Sequence, residues 1–139
     1  MRVPRSLLRK AASRAMRLGR LAGPLEIQIV GAREMACLNE RHLGHQGPTD
    51  VLAFPLGTDG PWDEGPRGVV AICADVARRE AARRKTSASG ELALYAVHGV
   101  LHLAGYRDKK PRDAERMDRA QRRILADLGV RAIPMRETT

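Results

Sequence analysis

The sequence predicts an α+β fold: a small sheet, one helix buried at the centre, and further helices packed around both. Three observations lead there. Apolar residues alternate over LEIQIV (25–30), the period of a strand, but recur at helical spacing over most of the chain. The stretch SASGELALYAVHGVLHLAG (87–105) is apolar almost all round, so a helix formed there is covered on most sides. No internal repeat or linker divides the 139 residues, a length suited to one domain with a hydrophobic core. Residues 1–139 are therefore read as a single domain.

The elements follow in order. Pro4 suits a first helical position and Gly19 a helix end. Between them Leu7, Leu8, Ala11, Ala12, Ala15 and Met16 mark one apolar face. LEIQIV is the first strand. REMACLNERH (33–42) is a short helix with Met35 and Leu38 on one side, and GHQGPT (44–49) is a loop. DVLAFPL (50–56) is a strand that Pro55 confines to an edge or an end. GTDGPWDEGPRG (57–68) is a surface loop, and GVVAICA (68–74) a continuous apolar strand. Asp75 is placed to cap the next helix, VARREAARRK. The buried helix then ends at Gly105, in the position of a C-terminal cap. Pro111 opens a last amphipathic helix that turns Met117, Ile124 and Leu125 inward and runs to about Leu128.

Composition narrows the function. Phe54, Trp62, Tyr95 and Tyr106 are all the aromatic residues, so the core is aliphatic. Platforms for stacking bases are few, which argues against a reader that stacks nucleobases on a sheet. Lys and Arg number 25 against 16 Asp and Glu, and the net charge of +9 favours a polyanionic partner such as RNA. Much of that charge lies in the first twenty residues and in RREAARRK (78–85). Cys37 and Cys73 have no metal-binding spacing and read as buried thiols of a reducing compartment. No apolar run reaches spanning length, and the basic start lacks a continuous apolar segment, so a cytoplasmic protein without membrane contact is expected. No pattern in the chain sets an oligomeric state.

The chemistry concentrates in HGVLHLAGYRD (98–108). Residues four apart share one helix face, so His98 and His102 can present two imidazoles to one ion. Gly105 ends the helix, and the turn that follows brings Asp108 back near that face. Two nitrogens and one carboxylate oxygen with an open position is the format of a catalytic zinc site. Gly99 and Gly105 beside it would let backbone and substrate approach closely. Two histidines in a buried helix can equally be hydrogen-bonded core residues. The HExxH form of a zinc peptidase is absent, because Gly99 stands where its glutamate would be.

HGVLHLAGYRD resembles the signature HGxLHLxGYDH of the YbeY family of metal-dependent endoribonucleases. LNERHLGHQGPTDVLAFP (38–55) is similar to the family's LNxxYRxxxxPTDVLSFP. GVVAICADVARREA (68–81) is similar to its GDIVIS strand and following helix, and DAERMDRAQRRILADLGV (113–130) to its closing helix. The resemblance implies a small mixed sheet with helices on its faces, and one zinc ion held by three histidines. It also implies a role in ribosomal RNA processing, notably at the 3′ end of 16S rRNA, and in ribosome quality control, with ribosomal RNA and the small subunit as partners. His98 and His102 fall on the first two histidines and Asp108 on the third.

Four departures stand out. A carboxylate at Asp108 is a competent zinc ligand that lowers the site's charge by one; bound water should be slightly less acidic, and Mn²⁺ or Fe²⁺ more competitive. Arg107 replaces the aspartate before that ligand. Leu43 stands where the family has an arginine expected to clamp phosphate, and Arg41 or His45 could stand in. Val69 replaces the aspartate of GDIV. The intact Pro48, Thr49 and Asp50 should shape the loop flanking the metal. The expected chemistry is hydrolysis of single-stranded RNA, with Arg41, Arg107 or the RREAARRK helix binding backbone phosphates. No general base is evident; Asp113 and Glu115 read as first-turn carboxylates near a helix N-terminus. Tyr106 should pack against the site, and His42 and His45 should lie outside it. The alternatives are a ribosome- or RNA-binding assembly factor of weak or no activity, and hydrolysis of a small substrate.

Overall fold

The computed structural model describes residues 2–56 and 67–131. Among them the order is α1 (Arg5–Leu18), β1 (Leu25–Val30), α2 (Ala32–Leu43), β2 (Val51–Pro55), β3 (Gly68–Cys73), α3 (Ala74–Arg84), α4 (Ala88–Leu103) and α5 (Pro111–Asp127). The loop expected at 57–68 lies outside the described residues except for Arg67 and Gly68. No helix among the described residues is long and apolar enough to cross a membrane.

The strands form one mixed sheet in the order β1-β3-β2. β3 runs parallel to β1, with Ile27 opposite Val70, and antiparallel to β2, with Ala53 opposite Val70. Every residue of β3 is buried, which explains why its sequence is a continuous apolar run rather than an alternation. Pro55 cannot donate to a ladder, and it sits on the edge strand β2 as expected.

Helices cover both faces of the sheet. On one side Met35 of α2 and Val76 of α3 pack over Leu52, Ala71 and Cys73. On the other lies α4, flanked by α1 and α5. Every residue of α4 from Gly90 to Leu101 is buried, so this helix is the core as much as it is covered by it. Its start is fixed by Ser87, whose hydroxyl accepts the Gly90 N–H at 2.9 Å.

Two local expectations are corrected. Asp75 does not cap its own helix, because α3 already begins at Ala74. Its side chain instead crosses to α2, where Oδ2 accepts the Ala32 N–H at 2.7 Å, while Oδ1 accepts from Arg78. The Ala32 hydrogen bond, more than Arg78, holds the Asp75 carboxyl below its ordinary value. Gly31, the residue before α2, offers no side chain, so the cap comes from another element. Cys73 is buried as expected, but Cys37 is exposed on the outer side of α2.

Candidate metal centre

The site is built where α4 stops. Gly105 takes φ +100°, a left-handed conformation suited to glycine. Its N–H reaches the His102 carbonyl at 3.0 Å, and the Tyr106 N–H reaches the Leu101 carbonyl at 2.9 Å. That pair of bonds is a Schellman ending. The chain reverses there and carries Asp108 back to the helix face that bears the two histidines.

His98 Nε2 and His102 Nε2 lie 2.9 Å apart. Asp108 Oδ2 is 3.5 Å from the first and 3.3 Å from the second. Ligand bonds of ~2.0–2.1 Å at tetrahedral angles would give edges of ~3.3 Å, so this triangle has the dimensions of one face of a zinc site. Each of the three residues offers one ligand atom, and these lie within 4.8 Å of one another. His98 is buried, whereas the side chains of His102 and Asp108 keep about a third of their surface. The triangle is therefore open on one side.

The outer nitrogens decide what the inner ones can do. His98 Nδ1 donates to Gln121 Oε1 of α5 at 2.6 Å, and His102 Nδ1 donates to the Tyr106 carbonyl at 3.0 Å. With the ring protons held there, both Nε2 atoms are left as acceptors and face a carboxylate oxygen. Three acceptors with no donor among them repel one another until a positive charge enters. This is not the hydrogen-bonded pair of ordinary core histidines; the donor set fits a divalent cation.

Titration agrees. Burial, followed by neighbouring His98, lowers the His102 pKa and outweighs the pull of Asp108, so the imidazole favours its neutral, ligand-ready form. The hydrogen bond that Asp108 accepts whenever His98 is protonated draws its carboxyl down to about 2, against a smaller push from burial. The carboxylate thus favours positive charge on the imidazole edges.

Gln121 is the residue the sequence reading passed over. Its position was a signal: a polar side chain stands in the inward stripe of Met117, Ile124 and Leu125, and it is only 2% exposed. Gln121→Leu should free the His98 ring to turn and weaken metal binding about 10- to 100-fold. Competition with a chromophoric chelator measures this, and Gln121→Glu should keep most of the affinity.

The remaining expectations divide. Tyr106 touches the site through its carbonyl, and its ring lies under Arg116, whose guanidinium carbon is 4.2 Å from the ring centroid. Gly99 does not open the site to substrate. It faces the sheet, where an added Cβ would lie 2.5 Å from Val70 Cγ1. Asp113, Glu115, His42 and His45 are outside the ligand cluster, and His42 stacks on Phe54 at 4.6 Å. Arg41 and Arg107 are exposed, and no hydrogen bond or ion pair ties either to the triad among the described residues. In RREAARRK the cations are partly paired: Arg78 with Asp75, Arg83 with Glu80, and Arg84 with Glu80 and Glu91. Asp50 anchors its loop locally, accepting from Thr49 Oγ1 and from the Val51 N–H.

Comparison with known proteins places the chain in a family. The family model described as Endoribonuclease YbeY matches residues 4–129. A protein named Endoribonuclease YbeY from Anaeromyxobacter sp. is 37% identical over 134 residues, covering 96% of this chain and 69% of that one. Its namesake from Frankia casuarinae is 39% identical over 121 residues, covering 81% of this chain and 60% of that one. Another, from Alkalilimnicola ehrlichii, is 38% identical over 133 residues, covering 91% and 79%. The solution structure of a Thermotoga maritima protein aligns over 93% of this chain and 88% of its own, with a TM-score of 0.61 and 23% identity, a likeness of fold. The matched region runs from the first helix through the last and contains both histidines, Asp108 and Gln121; this chain belongs to the YbeY family.

Proposed function

We propose that this chain is a metal-dependent endoribonuclease, specific for single strands, that acts in ribosomal RNA processing at the 3′ end of 16S rRNA and in ribosome quality control. The observation that carries the reading is the triangle of His98, His102 and Asp108 in a chain of this family. Residues 1–139 act as one metal-dependent hydrolase domain, working in the cytoplasm on RNA of the small subunit. The three ligands hold one zinc ion. When bound, it supplies Lewis-acid polarisation of a phosphate oxygen and water of lowered pKa. Gln121 and the Tyr106 carbonyl keep the imidazoles turned toward it. Arg41 and Arg107, both exposed, bind backbone phosphates flanking the scissile bond.

A second reading, an assembly factor that binds ribosomal RNA and cleaves little, is favoured by Leu43. It is 55% exposed and uncharged where the resemblance puts a phosphate-binding arginine. Zinc-loaded protein incubated with a single-stranded 16S 3′-end RNA and with the same RNA as a duplex separates the two. Cleavage of the single strand alone, abolished by chelator, supports the nuclease. Tight binding with both RNAs left intact selects the assembly factor.

Metal loading should depend on pH through the imidazoles and not the carboxylate. Asp108 stays ionised down to about 2, and His102 resists protonation below its ordinary value of 6.5. As pH falls, protons displace the ion only once they compete for the two Nε2 atoms. Equilibrium dialysis against zinc should show loading still full at pH 6.5 and lost only as the pH falls further.

A further inference from the structure

α5 has two faces with opposite duties. The inner one packs Met117, Ile124 and Leu125 into the core and holds His98 through Gln121. The outer one carries Arg112, Arg116, Arg119 and Arg123, all exposed. At 3.6 residues per turn these four fall within about a 60° sector and form a line ~16 Å long. Arg116 lies over Tyr106, whose carbonyl holds His102. Arg112, Arg119 and Arg123 have no acidic partner among the described residues. Of the acidic neighbours on α5, Asp118 is taken by Arg122 and Asp127 by Arg14, and exposed Glu115 is paired with neither Arg112 nor Arg119.

Stability alone would not place these charges so. Arg112 sits in the first turn, where the helix dipole disfavours a cation, and the last turn, where it favours one, has no basic residue. Neighbouring arginines three and four apart repel. The basic helix α3 is different, because Arg78, Arg83 and Arg84 are held by carboxylates. The line on α5 is also continuous with the metal centre. Exposed Arg107, Lys109 and Lys110 flank Asp108 and lead to Arg112. At the far end Arg123 joins Arg14 and Arg17 of α1 around a cleft of about 290 Å³.

We propose that the outer face of α5 is a phosphate track that holds the single-stranded RNA flanking the bond at the metal centre. The inference rests on the nuclease reading above, since the polymer reaching Asp108 must itself be the polyanion. An acidic protein segment would satisfy the charges but not their continuity with the ligand loop.

The test uses zinc-loaded protein and a fluorescent 2′-O-methyl polyuridine of about 20 nucleotides, with anisotropy followed from ~50 to ~200 mM salt. The variant is Arg112→Gln, Arg119→Gln and Arg123→Gln together, which leaves Arg116 on Tyr106. The slope of log affinity against log salt should fall by about 2, at ~0.7 per lost phosphate contact, with at least a tenfold loss of affinity near 100 mM salt. Zinc content and melting temperature should not fall. A control on α3, Arg78→Gln, Arg79→Gln and Lys85→Gln, should lose less than about threefold. Equal losses in the two variants, or an unchanged slope, would overturn the track. So would polyglutamate binding that the α5 variant loses while RNA binding stays, which would assign the face to an acidic protein. Wild-type cleavage with an unchanged slope sinks the track and leaves the nuclease standing. A reduced slope where wild-type protein cleaves nothing sinks the nuclease and leaves an RNA-binding face.

Discussion

Asp108→Ala is expected to purify without its metal ion, whereas the unaltered chain should carry about one zinc per molecule by elemental analysis. The substitution removes one corner of a three-ligand triangle and the only negative charge in it. Zinc bound by a full set of protein ligands is worth ~10–16 kcal/mol, so one ligand accounts for several, and affinity should fall on the order of 10²–10³-fold. Cleavage should fall with it. The fold should survive, because Asp108 lies in a turn outside the buried helix and its side chain is 37% exposed. Asp108→His, which restores the third imidazole the family resemblance implies, should recover the metal, while Asp108→Asn should recover little. Metal retained by the alanine variant would mean that another residue is the third ligand. Metal absent from both proteins would remove the enzyme reading and leave an RNA-binding domain.

The parts of this architecture that were legible in advance are those a single element reports about itself. LEIQIV alternates because Leu25, Ile27 and Ile29 pack toward α4 while Glu26 and Gln28 face the other way, where only Val30 reaches the second core cluster. β3 is apolar throughout because both its faces are covered, and α4 is apolar all round for the same reason. The histidine pair could be read because four residues are one helical turn, and Gly105 because a helix end wants a left-handed residue. What failed depended on partners that no local pattern names. Asp75 looked like a cap for its own helix, and its carboxylate caps α2, forty-three residues earlier in sequence. Cys37 reads as interior by residue type, but its position on α2 points away from the buried Met35. Gln121 was visible only as a polar intruder in an apolar stripe; what it touches comes from how α5 crosses α4. Gly99 lies between ligands in sequence, which by itself points to the site. Its face of the helix belongs to the sheet.

Gly99→Ala should therefore damage stability first and metal binding second. An alanine Cβ would stand 2.5 Å from Val70 Cγ1, 3.1 Å from Val51 Cγ2 and 3.3 Å from Val70 Cγ2. Val70 is fully buried on the central strand, and a β-branched side chain has little rotamer freedom with which to yield. The helix must lift from the sheet instead. Overpacking of this kind costs about 1–3 kcal/mol. The better helix propensity of alanine returns up to ~1 kcal/mol, so the net loss should be about 1–2 kcal/mol. In thermal unfolding that is a drop of roughly 3–8 °C for a domain of this size. His98 precedes Gly99 directly, so lifting α4 also stretches the 2.6 Å bond from His98 to Gln121 and loosens the ion. Val70→Ala supplies the check. Alone it opens a cavity and destabilises; combined with Gly99→Ala it makes room for the added methyl. The double variant should be more stable than the sum of the two losses predicts, by about 1 kcal/mol or more. Strict additivity would mean that Gly99 is needed for its backbone and not for the close approach of α4 to β3.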